Sequence, residues 1–437
     1  MKFGICLMMV TLALPGFSVF AQDNSEMPPP ASQADNTEPL LTPRLPLEEL
    51  RVFAEAFDRI RQAYVEEIDD QKLLESAIKG LLSQLDPHSA FLDESSFSDL
   101  QETTTGNYGG LGIEIGTENG LIKVISPMDE TPASRAGILP GDLIIQIDGK
   151  AVKSMDVGDA VDQMRGEPGS SVYLMIMRDG ESAPLEKTLV REVIKVASTR
   201  QRMLEAGYGY VRIAQFQADT GAEVGKAIDE LQQDDTIKGL VLDLRNNPGG
   251  VLQAAVQVSD LFLESGLIVY TKGRIENSAM QFTASSGDVL ANIPIVVLVN
   301  EGSASASEIV AGALQDHKRA IILGTTTFGK GSVQTVLPLT NKKAIKLTTA
   351  LYFTPKGRSI QAEGIVPDIW VERSTVTKIK TNAFRVKEKN LPGHLQQPDA
   401  EEANPDNGDT TNRELASSDF QLNEALVLLK GINILAK

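Results

Sequence analysis

Gly239-Leu240-Val241-Leu242-Asp243-Leu244-Arg245-Asn246-Asn247-Pro248-Gly249-Gly250 passes from an apolar run into a loop broken by proline and two glycines. The run reads as a buried strand, and the loop leads into a helical pattern at about 251–264. Outward from it, Tyr210–Ile213, Ile293–Val299, Ala320–Leu323 and Lys346–Phe353 read as further strands. Helical spacing intervenes at about 220–232 and 304–316. Strands alternating with helices over 193–384 predict a layered α/β core with function on the loops at strand ends. The Asp243–Gly250 loop is not a phosphate cradle, because it lacks the Lys-Ser/Thr of a P-loop. Its glycines leave backbone N–H groups free to face a ligand or a developing negative charge.

The chain has 437 residues, enough for several domains, and a net charge of −18. That acidity argues against nucleic acid as a partner. Residues 1–21 read as a secretory signal: Lys2, an apolar run from Phe3 to Leu14, a Pro15-Gly16 break, then Val19-Phe20-Ala21. The run is too short to span a bilayer, which takes about 20 apolar residues. Cys6, the single cysteine, lies inside this segment, so the processed chain has no disulfide and no thiol nucleophile. Periplasmic localisation is the expectation. Residues 22–45 read as a polar arm, and Leu47, Leu50, Phe53, Phe57, Ile60 and Tyr64 begin a helical region that runs to about 103. An acidic, proline-bearing linker at 385–416 precedes a last helical segment at 417–437.

The chemistry gathers in two places. Asn300-Glu301-Gly302-Ser303-Ala304-Ser305-Ala306-Ser307-Glu308 puts serine hydroxyls at a helix start, where unpaired N–H groups favour negative charge. Thr327-Phe328-Gly329-Lys330-Gly331-Ser332-Val333-Gln334 offers a lysine between glycines and a glutamine four residues on. A plain capping box, with Ser305 and Glu308 closing on each other, fits the first stretch equally well. A solvated surface charge is the ordinary reading of Lys330. If Lys330 is desolvated, with Phe328 nearby, its neutral amine becomes a base. Histidine catalysis has little support. His317 lies twelve residues after Ser305, about 18 Å along a helix at 1.5 Å per residue, His88 reads as a capping or packing residue, and His394 falls in the linker. No metal-ligand spacing occurs, and no cofactor is expected.

Both stretches resemble the carboxy-terminal processing peptidases, or tail-specific proteases, from about residue 46 to 372. The resemblance selects Ser305 as nucleophile, which the residues alone leave open among Ser303, Ser305 and Ser307. It makes Lys330 the base and Gln334 its assistant. Ala306 and either Gly249 or Gly250 are then candidate oxyanion donors. Residues 104–192 are similar to a PDZ domain: Gly110-Leu111-Gly112-Ile113 matches the carboxylate-binding loop, and Val157, Ala160, Val161 and Met164 form one face of its helix. In such a loop, successive free N–H groups hold a terminal carboxylate while the peptide adds as a strand.

The expected architecture is therefore multidomain α/β: an N-terminal helical region (46–103), a PDZ-like β-rich module (104–192), an α/β serine-protease core (193–384) and a C-terminal helix. The resemblance implies an exported endopeptidase acting on proteins with nonpolar C-termini, with cell-envelope proteins such as cell-wall hydrolases as substrates. It implies a homo-oligomer with dimer contacts in the N- and C-terminal helices, and in some relatives a tetratricopeptide-repeat lipoprotein as adaptor. Arg165, at the end of the PDZ helix, is placed to couple tail binding to the core. The rival readings are a catalytically silent PDZ scaffold and a crotonase-like acyl-transfer enzyme. Intact Ser305, Lys330 and Gln334 oppose the first, and a tail-binding module has no use in the second.

Overall fold

The computed structural model describes residues 45–118, 120–274, 279–376, 391–393, 395 and 415–435. The secretory signal, nearly all of the 22–45 arm, most of the 385–416 linker and His394 lie outside these residues. The chain divides into two units at Asp70. In the first, Leu47–Ala63 is a helix with Glu48 and Glu49 in its first turn and Arg61 in its last, each suited to the helix dipole. None of its residues is buried, and Leu50, Phe53 and Ile60 on its apolar stripe are exposed.

In the second unit, six strands form the central sheet in the order Thr199–Glu205, Tyr208–Ile213, Gly239–Asp243, Ile295–Val299, Ala320–Gly324, Ile369–Trp370. The first pair is antiparallel and the others are parallel. Period-two alternation divides the Gly239–Asp243 strand between two cores. Leu240 and Leu242 pack with Ile295, Val297, Val224, Ile228, Ala255, Ile309 and Val310, in a core fed by the helices Thr220–Asp234, Leu252–Asp260 and Ala306–Asp316. Val241 faces the other way, with Val296, Leu298 and Leu323, and meets Leu422, Ala425, Leu426 and Leu429 of the C-terminal helix Phe420–Leu435. That helix therefore docks on its own sheet.

Two boundaries differ from the sequence pattern for local reasons. The strand expected from Ile293 begins at Ile295, because Pro294 has no N–H to give a ladder. The helix expected from Ala304 begins at Ala306, because Ser305 adopts φ 58°, ψ −113°. A second sheet was not anticipated. In it Ala344–Phe353 pairs with Ser332–Pro338, Ala90–Leu92 and Gly266–Gly273, and the last of these also pairs with Gln281–Ala284.

The PDZ-like module is an antiparallel sheet ordered Ile113–Glu118, Leu121–Pro127, Leu143–Ile147, Ser171–Met177, Leu185–Val190, closed over its own core by the helix Val157–Met164. Buried Asp142 takes both Arg178 Nε and Nη2 at 2.8 Å, which pins one end of the sheet. The strands that lead into and out of the module, Asn107–Gly110 and Glu192–Lys195, pair with each other.

Leu429 is fully buried between the C-terminal helix and the sheet. We expect Leu429→Ala to destabilise the fold by about 2–5 kcal/mol through lost transfer energy and a residual cavity. Denaturant unfolding measures this, and a loss below about 1 kcal/mol would mean that the helix is not held on the sheet.

Candidate active site

Three serines flank the start of the Ala306–Asp316 helix, and their hydroxyls have different fates. Ser303 is buried, donates through Oγ to Leu244 O at 2.8 Å and accepts Asn300 N at 3.0 Å. Ser307 is buried and donates to Asn247 O at 3.0 Å. Ser305 is half-buried and lines a 440 Å³ cavity. Its positive φ is a strained conformation for a residue with a Cβ, of the kind that concentrates at functional turns. Gly249 makes the turn possible: a Cβ there would meet Ala304 O at 2.6 Å and Ser305 Cβ at 2.7 Å.

The same cavity is lined by Lys330, Gln334, Ala306, Gly249 and Gly250. Glu308 joins the two halves. Its buried carboxylate accepts Ser305 N (2.7 Å), Thr327 Oγ1 (2.6 Å), Gly329 N (2.7 Å) and Lys330 N (2.9 Å). The expected capping interaction is thus half of a larger clamp that also fixes the lysine loop. Burial is the main influence that lowers the Lys330 pKa from its ordinary value; the charge of Lys346 adds to it, and Glu308 and Asp86 oppose it. Phe328 does not supply this burial, since its side chain is 62% exposed. Val333, Val336 and Tyr352 line the same cavity.

Gln334 sits beside an irregularity in the ladder, where the pairing steps from Val333↔Ala350 to Gln334↔Thr348. Its Nε2 donates to Ser332 Oγ at 2.9 Å and Thr348 Oγ1 at 3.5 Å rather than to the lysine loop. Among the described residues, no hydrogen bond joins Lys330 Nζ to Ser305 or Gln334; the three groups share the cavity. Of the oxyanion candidates, the Gly249 N–H is already committed to Asn247 Oδ1 at 2.9 Å. That narrows the pair to Ala306 and Gly250, both on the cavity wall.

Two further contributors carried little sequence signal. Tyr352, read only as a strand residue, is buried on the cavity wall, donates its hydroxyl to Lys330 O and interacts with the Ser305 side chain. Burial raises its pKa, so it remains a neutral phenol. The turn at Asp86 is the second. Asp86 accepts His88 N, Ser89 N, Ser89 Oγ and Thr348 Oγ1, and so is tied to the strand partner of Gln334. His88 sits in this turn as a capping or packing residue would; burial first, then the charge of Lys330, lowers its pKa. His317 is remote, at the far end of the helix, with Nε2 2.7 Å from Leu267 O.

Gly110, Leu111, Gly112 and Ile113 line a separate 220 Å³ cavity with Val161, Met164 and Arg165. The Leu111 side chain is buried in the module core. Gly112 has φ +72°, and a Cβ there would strike Thr131. Arg165 pairs with Glu102 Oε2 at 3.1 Å and lies over the Tyr108 ring. Glu102 belongs to the helix Glu94–Thr105, which also gives Leu100, Thr103 and Thr104 to the Ser305 cavity.

Residues 207–371 match peptidase family S41, residues 109–189 the PDZ domain, and residues 14–96 the activating protease CtpB N-terminal domain. The chain is 48% identical over 386 residues to a carboxy-terminal-processing protease of Bartonella bacilliformis, covering 88% of each chain. It is 35% identical to the carboxy-terminal processing protease CtpA of Bacillus subtilis, over 74% of this chain and 69% of that one. Among solved structures, a photosystem II D1 C-terminal processing protease is 32% identical over 74% of this chain and 93% of that one, with a TM-score of 0.44.

Glu308→Gln keeps the shape of the clamp but turns an amide N–H against two of its four donors, since each carboxylate oxygen accepts two. A loss of about 1–3 kcal/mol in unfolding free energy is expected, as for a buried donor left unmatched. Unchanged stability would show that these bonds do not hold the two loops together.

Proposed function

The chain belongs to peptidase family S41 and is a carboxy-terminal processing protease, and from that premise we propose that it works through a Ser305–Lys330 dyad. One observation carries the assignment. Of the three serines at the helix start, Ser303 and Ser307 spend their hydroxyls on backbone carbonyls, while Ser305 opens onto the cavity that Lys330 also lines.

The neutral Lys330 amine removes the Ser305 hydroxyl proton as Oγ attacks the scissile carbonyl carbon. The oxyanion of the tetrahedral intermediate lies against the N–H groups of Ala306 and Gly250. The lysine ammonium then gives its proton to the departing amine, leaving an acyl-enzyme. Water, deprotonated by the same amine, releases the new C-terminus. Gln334 uses its amide N–H on Ser332 and Thr348, which keeps Oε1 available to accept from the ammonium that forms in each half-reaction.

The PDZ-like cavity is the reading for substrate selection. A nonpolar C-terminal side chain enters beside Val161 and Met164 while the Gly110–Ile113 loop receives the carboxylate. Export to the periplasm, and action there on envelope proteins such as cell-wall hydrolases, is supported by the signal-like pattern of residues 1–21. Oligomerisation through the exposed apolar stripe of Leu47–Ala63, and an adaptor protein, extend the same reading.

Ser305→Ala and Lys330→Ala are each expected to abolish cleavage of an unstructured protein while the far-UV spectrum is retained; wild-type turnover in either rejects the dyad. Because the base must be neutral, activity rises with pH through the lowered Lys330 pKa. Lys346→Met removes a charge that helps to lower it, so the acid limb of the kcat profile should move to higher pH. A limb that stays in place or moves to lower pH contradicts this. Amidating the C-terminus of a peptide substrate should raise KM about ten-fold or more with kcat retained, the scale of a lost charge-assisted hydrogen bond. Equal KM for acid and amide would exclude carboxylate capture.

A further inference from the structure

The loop after strand Gly239–Asp243 carries one oxyanion candidate, and the way its first turn is anchored has a second half far away in the chain. Arg245 is 12% exposed at its side chain and has all five guanidinium N–H groups directed at acceptors. Nε and Nη2 reach the fully buried Asp243 carboxylate at 3.0 and 2.7 Å. Nη1 and Nη2 meet Asp419 Oδ1 and Oδ2 at 2.8 and 2.7 Å, a two-pronged pair, and Nη1 also meets Gln421 Oε1 at 3.1 Å. Asp419 stands immediately before the C-terminal helix, 174 residues from Arg245, and its Oδ1 also accepts Leu422 N at 3.1 Å.

The loop continues from this anchor to the nucleophile. Asn246, at φ 56°, donates its N–H to Asn300 Oδ1 at 2.8 Å and accepts Asn300 Nδ2 at 2.9 Å. Asn247 O receives both Ala304 N and Ser307 Oγ at 3.0 Å, bracketing Ser305 from the two sides. Gly249 then lies against Ser305 Cβ, and Gly250 follows on the cavity wall. Asp243 is further fixed by Tyr210 Oη at 2.8 Å. Removing Asp419 leaves Arg245 with one carboxylate instead of two and frees its outer edge to turn.

We propose that Asp419 is a positioning residue: through Arg245 it holds the Asn246–Gly250 loop in the register that brings the Gly250 N–H to the oxyanion, which makes the C-terminal segment part of the machinery for peptide hydrolysis as well as a cover for the sheet. The proposal rests on the Ser305 assignment and on Gly250 as an oxyanion donor. It acts on the transition state, so its mark is on kcat.

The test uses the full chain. Asp419→Asn and Asp419→Ser both keep an N-cap-competent side chain and remove the charge. Each should lower kcat about ten-fold or more, the effect of a small misplacement at the reacting centre, with KM and the affinity of the PDZ-like module for a tail peptide within two-fold. Arg245→Gln should give the same profile, and Asp419→Asn combined with Arg245→Gln should be no worse than Arg245→Gln alone. Leu429→Ala is the control for helix docking: measured well below its own melting temperature, it should keep kcat. If Asp419→Asn resembles Leu429→Ala, with a lower melting temperature and an unchanged kcat, Asp419 is only structural and the proposal fails. Additive losses in the double variant also overturn it, since Asp419 would then not act through Arg245. If Asp419→Asn keeps kcat while Ser305→Ala has none, this proposal falls and the dyad stands; turnover in Ser305→Ala removes both.

Discussion

The candidate active site depends on one buried carboxylate. Glu308 carries no surface exposure and four hydrogen bonds, three from backbone N–H groups and one from Thr327. A buried carboxylate is tolerated only when its lone pairs are satisfied, and here the donors come from the serine turn and the lysine loop. Neither loop can shift without stranding that charge. The same charge has an electrostatic consequence: it favours the protonated form of Lys330, against burial. The group that fixes the geometry therefore limits how far the lysine pKa falls. Lys346, on the cavity wall, works in the opposite direction.

Ser305 is held in a conformation that costs about 1–3 kcal/mol by itself. The cost is borne because the turn is over-determined. Ser303 and Ser307 tie its two flanks to Leu244 O and Asn247 O, and Gly249 offers the one side chain small enough for the contact. These three residues carry no chemistry, yet they keep a single serine out of the three open to the cavity. The small-residue run 302–307 is thus a packing solution in its own right.

Much of this was legible beforehand. The four inner strands of the central sheet follow from short apolar runs between turn residues, while its two edge strands, Thr199–Glu205 and Ile369–Trp370, were not read; the PDZ-like module follows from its glycine loop and alternating strands. The cavity gathers Ser305, Lys330, Gln334, Ala306 and Gly250 as the motifs suggested. What escaped was non-local. Strands Gly266–Gly273 and Ser332–Pro338 are half exposed and lack a clean alternation, and their pairing to Ala344–Phe353 is set by tertiary contact. Tyr352 lies in a run of strand formers and is distinguished only by where its hydroxyl goes. Asp86 and His88 sit more than 240 residues from Lys330, and no period in the sequence joins them. The Phe328 expectation failed because adjacency in a loop says little about direction: its side chain faces out while Lys330 turns in.

The helix Glu94–Thr105 sets a further constraint on how the PDZ domain and the cavity relate. Glu102 pairs with Arg165 of the module, while Leu100, Thr103 and Thr104 form part of the cavity wall. Thr104 O also accepts Ala218 N at 2.9 Å, and Gly106, at φ +71°, ends the helix so closely against Gln217 that a Cβ would overlap it. One end of this link is strong and the other weak. The core side is a backbone bond and a tight contact, whereas the Arg165–Glu102 pair is partly exposed, a class worth about 1 kcal/mol or less. The links between module and protease include this weak pair and two short paired strands, Asn107–Gly110 and Glu192–Lys195. Met164 and Arg165 line the cavity of the module, so the weak end of that link lies at this cavity and its strong end at the core.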